Sequence, residues 1–228
     1  MKLFVFKKRR ILCLLLGLFF VSAILVSCFS VRYVNSPKLN YRIVIDAGHG
    51  GIDGGAVGKR GTTESRINLD FAIELKNVCQ QAGVQVVMTR ESMDGLYSPL
   101  AQNKKRSEME KREKIIKESG ADLVVSIHQN SFPLSSLRGA QVFYKQGSES
   151  GKALASSVQK ALVEGDIKTR GEIAVGDFYV LNCTEKTAIL VECGFLSNEE
   201  EEGLLCKEEY RKKFCELLFC GILEFYGI

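Results

Sequence analysis

The chain has 228 residues, of which 46% are hydrophobic and 25% are charged, a balance that is ordinary for a globular protein and excludes disorder along most of the length. The formal net charge of +4 comes from the N-terminus, because residues 1–35 contain six basic residues and no acid. No stretch interleaves basic with aromatic residues, so we expect no nucleic-acid partner and read the positive charge as a targeting signal.

The first 40 residues predict a membrane anchor. Residues 1–10 form a basic, cytoplasmic n-region, and the uncharged run 11–31 is about 20 residues long, enough to cross a bilayer as a transmembrane helix. We favour an uncleaved signal anchor, then a linker over 32–40 and a domain over 41–228 on the extracytoplasmic face. The alternatives are a lipoprotein, since LVSC at Cys28 resembles a lipobox, and a cleaved, secreted protein.

Two continuous apolar runs, in which apolar residues do not alternate with polar ones, are typical of strands buried on both faces of a parallel sheet. The first, Tyr41–Asp46, leads into a glycine-rich loop with His49, and the second, Asp122–Ser131, contains His128. These are the two histidines of the chain. Because parallel strands present their carboxyl ends along one edge of a sheet, we expect the imidazoles to converge there.

Two glutamates join the histidines. A third apolar run, Ala188–Cys193, brings Glu192 to the same edge, and Glu64 lies in the first turn of a helix that Thr62 or Thr63 can cap and that Gly83 ends.

The remaining segments alternate between helical and extended patterns. They predict a strand over Val84–Thr89, helices over Pro99–Ser119, Gly151–Leu162 and Glu208–Phe225, an edge or mixed-sheet strand over Gly139–Tyr144 and an extended segment over Ile173–Leu181. We expect Arg106–Lys117 and the acidic run Glu199–Glu202 to be solvated. The alternation predicts an α/β fold: a single domain with a twisted, mostly parallel central sheet flanked by helices.

Six cysteines follow the predicted anchor, and their spacing is neither a tight disulfide framework nor a CxxC metal pair. Several stand within apolar patterns, where a buried thiol packs well. We therefore expect mostly free thiols, although the domain is exported.

His49, His128, Glu64 and Glu192 provide what a catalytic zinc site requires: three protein ligands, an open position for water and a carboxylate that moves a proton. Both histidines and one glutamate would hold the ion, and the other glutamate would be the general base. The pattern does not decide which glutamate is the metal ligand and which is the general base. Glu64, near His49, suits a ligand, whereas Glu192, at a strand tip, suits the base.

Other interpretations fit some of these residues. Glu64 is also a typical first-turn acid of a helix, and Asp46 and Asp53 either orient an imidazole or stabilise the loop. The same donor set describes the facial triad of non-haem iron enzymes, which is familiar on all-β scaffolds. Ser126 and Ser131 have no GxSxG elbow, which argues against a serine hydrolase.

An ordered set of motifs runs through the domain: IVIDAGHGG, TTES around Glu64, TR at Arg90, SIHQNS, DFYVLN and AILVECGFLSNEEEE. Over roughly Arg42–Tyr226 these motifs resemble the zinc-dependent N-acetylmuramoyl-L-alanine amidases of the type 3 family. The resemblance implies that His49, Glu64 and His128 are Zn2+ ligands and that Glu192 is the catalytic glutamate. Residues 41–228 would then be a zinc amidase catalytic domain.

The resemblance also implies the reaction, hydrolysis of the amide between N-acetylmuramic acid and L-alanine in peptidoglycan. A membrane anchor on a bare catalytic domain is similar to the germination-specific branch, which forms muramic lactam in spore cortex. The alternatives are a non-catalytic peptidoglycan-binding protein and a zinc peptidase, and an accessory protein activator is a further expected partner. Two residues depart from the family pattern: Gln129 stands where alanine is frequent, and Cys193 where leucine or another apolar residue is frequent.

Overall fold

The computed structural model describes residues 41–228, and the anchor and linker predicted for residues 1–40 lie outside them. Helices and strands alternate, as predicted. In chain order they are β1 (Arg42–Ala47), α1 (Glu64–Gln81), β2 (Gln85–Met88), α2 (Lys104–Glu118), β3 (Leu123–Asn130), β4 (Gln141–Tyr144), α3 (Glu149–Glu164), β5 (Ala174–Val175), α4 (Tyr179–Asn182), β6 (Thr187–Phe195), α5 (Glu199–Leu205) and α6 (Glu208–Phe225). No helix within the described range is long and apolar enough to span a bilayer.

The strands form one sheet in the order β2-β1-β3-β6-β4-β5. Every neighbouring pair is parallel except β4 and β6, so the prediction of a mostly parallel sheet is confirmed. For the segment that ends at Tyr144, the mixed-sheet alternative is correct, because β4 runs antiparallel to β6 and also pairs with β5.

Successive residues of the central strands pack on opposite faces of the sheet. Ile43 and Ile45 of β1 belong to the large core beneath α1, α3 and α6, whereas Val44 belongs to a smaller core beneath α2 and α4. The same alternation continues to the carboxyl ends of the strands, where His128 of β3 is in register with Glu192 of β6. Both side chains therefore lie on the sheet face that α2 covers.

The predicted start of the second helix is wrong by five residues, since α2 begins at Lys104 and not at Pro99. The physical reason is a side-chain cap: the Asn103 carbonyl oxygen accepts a hydrogen bond from the backbone N–H of Arg106 at 2.9 Å. The last helix, in contrast, spans Glu208–Phe225 as predicted.

The prediction of an extended segment over Ile173–Leu181 holds for two residues only. The β5 ladder ends at Gly176, whose N–H donates the last hydrogen bond, to the carbonyl of Tyr144. Phe178 then packs edge-on against Phe143, with ring centroids 5.3 Å apart, and the chain turns into the short helix α4.

The acidic run Glu199–Glu202 is only partly solvated, contrary to the prediction. Glu202 is fully buried, and its carboxylate accepts hydrogen bonds from the backbone N–H groups of Arg60 and Thr62 at 2.9 to 3.2 Å. Glu201 is also buried and accepts two backbone N–H groups. These bonds compensate the desolvation of both carboxylates, and those of Glu202 fasten the loop before α1 to α5.

The cysteines agree with the expectation of free thiols. Within residues 41–228 all six are unpaired, and Cys79, Cys193 and Cys215 are buried in the core. Burial raises the pKa of each of these three thiols, which makes them unreactive packing groups.

Candidate metal centre

The loop after β1, the first turn of α1 and the end of β3 bring His49, Glu64 and His128 together. One ligand atom from each lies within 4.8 Å of the others. Oε1 of Glu64 is 3.1 Å from Nε2 of His49 and 3.0 Å from Nδ1 of His128. Two imidazoles and one carboxylate are the donor set of several hydrolytic zinc enzymes, so these residues fit a zinc ion.

The glycines of the loop make room for these side chains. A Cβ atom on Gly48 would lie only 2.2 Å from the imidazole of His128. Gly55 has a φ of +67°, and a Cβ there would lie 2.5 Å from Oε2 of Glu64. His49 itself adopts a left-handed φ of 59°, which is uncommon for a residue with a side chain. The loop is therefore shaped around the three donor groups.

Glu192 lies across from His128 in the β3–β6 register. The residue is partly exposed, but its Oε2 atom is buried and has no hydrogen-bond partner among residues 41–228. Burial, reinforced by the charge of Glu64 and opposed by the histidines, raises the pKa of Glu192 to about 7. A carboxyl group with this pKa can both accept and release a proton near neutral pH.

The two aspartates of the loop region differ in what they contact. Oδ1 of Asp53 lies 3.0 Å from Nδ1 of His49, so its carboxylate faces that imidazole. Burial lowers the pKa of His49, but Glu64 and Asp53 outweigh it and raise that pKa above its ordinary value. Asp46 instead accepts hydrogen bonds from Arg112 and Ser126, so Ser126 serves the fold and not a nucleophilic site.

Arg112 contradicts the prediction that Arg106–Lys117 is a solvated face. It is 2% exposed and donates hydrogen bonds to Oδ1 of Asp46 at 2.5 Å, to the Ala47 carbonyl at 2.7 Å and to the His49 carbonyl at 2.5 Å. A further bond goes to Glu108 of the same helix, at 2.7 Å. Helix α2 therefore holds the end of β1 and the backbone of His49.

A sequence signal for this burial did exist. Glu108, Arg112 and Ile116 recur every fourth residue, and the apolar Ile116 marks that helix face as buried.

Arg90 supports the same loop from its other side. Its buried guanidinium donates to the carbonyls of Ala47, Gly48 and Ser65 at 2.7 to 3.0 Å. It thereby ties the His49 loop to the first turn of α1, where Glu64 lies. Sequence reasoning named Arg90 only as part of a motif, without a role.

A cavity of about 440 Å³ opens beside His49 and His128 on the α2 side of the sheet. Its volume is in the range of small-molecule clefts. The apolar part of its wall includes Tyr97, Met109, Phe178 and Tyr179.

Comparisons of the chain with known protein families and with individual proteins point to the same family. Residues 43–224 match the family described as N-acetylmuramoyl-L-alanine amidase. The chain is 32% identical to the germination-specific N-acetylmuramoyl-L-alanine amidase of Bacillus subtilis (strain 168), over 96% of this chain and 96% of that protein.

Solved structures give the same result. The CwlD amidase from Clostridioides difficile, in complex with the GerS lipoprotein, has a TM-score of 0.79 and 36% identity, over 82% of this chain and 99% of that chain. The catalytic domain of CwlV, an N-acetylmuramoyl-L-alanine amidase from Bacillus (Paenibacillus) polymyxa var. colistinus, has a TM-score of 0.73 and 32% identity, over 82% and 99%.

Proposed function

Because the chain belongs to the N-acetylmuramoyl-L-alanine amidase family and is a peptidoglycan hydrolase, we propose that it works with a zinc ion held by His49, Glu64 and His128 and with Glu192 as general base. The observation that carries this proposal is the convergence of three donor atoms within 4.8 Å at the carboxyl edge of the sheet. The buried, unpartnered Oε2 of Glu192, which lacks a partner throughout the described domain, supports it.

The chemistry divides between the metal and the protein. When bound, zinc supplies a Lewis acid for the scissile carbonyl and lowers the pKa of a water molecule. Glu192 takes the proton of the attacking water and passes it to the departing amine of L-alanine, and a pKa of about 7 suits both transfers. Arg112 and Arg90 hold the His49 backbone in place through their bonds to the loop carbonyls.

The proposed cellular role is in spore cortex, where amide hydrolysis would prepare muramic lactam for germination. The similarity to a germination-specific amidase supports this role. The predicted anchor would hold the domain at the extracytoplasmic face of the membrane. We also propose an accessory protein, since a similar amidase forms a complex with a lipoprotein.

The deciding experiment is a digest of purified peptidoglycan by the full chain, with and without a chelator, analysed by mass spectrometry. We expect free stem peptides that begin with an intact L-alanine amine, lost on chelation and restored by zinc. Cleavage within the stem peptide would instead identify a peptidase. Zinc-loaded protein that binds muropeptides without releasing product, both alone and with its accessory protein, would identify a binding protein. Stoichiometric iron without zinc would contradict the proposed metal.

A further inference from the structure

Asn68 lies one helical turn after Glu64 on α1, and its side chain is completely buried. Its amide nitrogen donates to Oε1 of Glu64 at 3.2 Å and to the carbonyl of Gly48 at 3.2 Å. Its carbonyl oxygen accepts a hydrogen bond from Nε2 of Gln129 at 3.3 Å. Both hydrogens and one lone pair of this single amide are therefore used.

These three bonds reach the chain segments of all three candidate metal ligands. Glu64 is contacted directly, Gly48 immediately precedes His49, and Gln129 immediately follows His128. Among the contacts of the described residues, this buried amide thus connects α1, the loop after β1 and the end of β3 at one point.

Rotation of the Asn68 amide by a half turn would point its carbonyl at the Glu64 carboxylate. The carbonyl of Gly48 and the side-chain N–H of Gln129 both oppose that rotation, because the flipped amide would set an acceptor against an acceptor and a donor against a donor. Oε1 of Gln129 itself has no partner among residues 41–228. The other carboxylate oxygen of Glu64 accepts the backbone N–H of Ala56 at 2.9 Å. Both oxygens of Glu64 are consequently held before any metal arrives.

We propose that Asn68 is a positioning residue that presets the three-ligand site, and that Gln129 acts through it by fixing the orientation of its amide. This inference rests on the proposed zinc site. Groups that orient the ligands of a metal site typically change metal affinity about 10- to 100-fold when they are removed.

The test uses the full chain with Asn68→Ala, Gln129→Ala and both changes together. The zinc dissociation constant is measured by competition with a chelator of known affinity, and the free energy of unfolding is measured without metal. We expect Asn68→Ala to weaken zinc binding about 10- to 100-fold and Gln129→Ala to weaken it less. The double variant should bind zinc no more weakly than Asn68→Ala, because Gln129 acts through Asn68.

Gln159→Ala is the matched control. Gln159 is also a buried glutamine that donates one hydrogen bond, to the carbonyl of Gly171 at 2.8 Å, and its Oε1 likewise has no partner among residues 41–228. Its loss should lower the free energy of unfolding and leave the zinc dissociation constant unchanged.

The outcomes separate this inference from the function on which it rests. Wild-type protein that binds no zinc would contradict the proposed function. Tight zinc binding by wild type and equally tight binding by Asn68→Ala would overturn the positioning role alone. Additive losses in the double variant would overturn the role of Gln129. If Asn68→Ala does not fold, Gln129→Ala decides, and an unchanged dissociation constant there overturns the inference.

Discussion

Glu192 differs from the other acids near the candidate metal centre because one of its oxygen atoms is buried without a hydrogen-bond partner in the described domain. Such an atom is costly unless a substrate, water or proton meets it. A structural glutamate at this position would be expected to have a compensating donor. Glu64 illustrates the contrast, since both of its oxygens accept hydrogen bonds.

Replacing Glu192 with glutamine removes the proton acceptor and keeps the side-chain size. We expect kcat for muropeptide hydrolysis to fall by about 100- to 10,000-fold, the usual contribution of general acid–base catalysis. The zinc content per chain should not change, because Glu192 is not among the proposed ligands. Glu200→Gln, at a side chain that is 80% exposed, is the control and should keep full activity. A wild-type rate for Glu192→Gln would contradict the mechanism.

A second prediction for a single residue concerns packing around the His128 side chain and not charge. In Gly48→Ala the new methyl group would lie 2.2 Å from the His128 imidazole, so the ring must move. We expect weaker zinc binding and a loss of about 1 to 3 kcal/mol in the free energy of unfolding, as for other overpacked sites. Gly54→Ala in the same loop meets nothing within 4 Å and should change neither quantity. Equal effects of the two substitutions would refute the packing argument.

For single residues, the sequence predicted which side chains meet at the candidate site but not which residues position those side chains. His49, His128 and Glu192 lie at the ends of apolar runs, and strand ends in a parallel sheet share an edge. Asn68 stands between Ile67 and Leu69 and gives no comparable signal, because its contacts depend on how α1 packs against two distant segments. Only its spacing of four residues from Glu64 placed the two on one helix face.

At the scale of elements, α2 shows how a charged helix can be structural. Arg112→Ala would leave Asp46 and Glu108 buried without their partner, and breaking a buried pair in this way costs about 3 to 5 kcal/mol. We expect a loss of that size in the free energy of unfolding, measured by denaturant titration of the metal-free protein. Arg106→Ala on the exposed side of α2 is the control and should not shift the unfolding midpoint. Equal stability of the two variants would show that Arg112 is not structural.

Helices and strands could be predicted from the sequence where their pattern is local, and less well where their ends depend on individual contacts. Long periodic segments such as α6 were predicted to the residue, because their pattern is local. The start of α2 depends on a side-chain cap at Asn103, a local contact between residues three positions apart. The two-residue length of β5 depends on where its ladder ends, at Gly176, and on the packing of Phe178 against Phe143. Phe143 and Phe178 are far apart in the sequence, so their contact has no local signature.

At the scale of the whole domain, acid stability should depend on Asp46, which joins β1 to α2 and β3. Burial raises the pKa of Asp46, but Arg112 and Ser126 outweigh it and hold the pKa below its usual value of 3.8. The unfolded chain therefore binds this proton more readily. The stability that Asp46 contributes is fully present above about pH 4 and is lost as the pH falls through the folded pKa.

We expect the difference in free energy of unfolding between wild type and Asp46→Asn to be constant from about pH 7 to pH 4 and to shrink below that. Denaturant titrations of both metal-free proteins across this range measure it. A difference that stays constant well below pH 4 would mean that the Asp46 carboxylate is not the titrating group.

The anchor predicted for residues 11–31 concerns the whole molecule, because it would determine where the domain meets peptidoglycan. An uncleaved anchor and a lipoprotein both leave the chain on a membrane, but only the lipoprotein needs the thiol of Cys28. For an anchor, we expect Cys28→Ser to stay in the membrane fraction with the intact mass of the unprocessed chain, like wild type. Cys13→Ser, within the same apolar run, is the matched control. A mass that shows cleavage before Cys28 with added lipid in wild type and in Cys13→Ser, but not in Cys28→Ser, would replace the anchor with the lipoprotein.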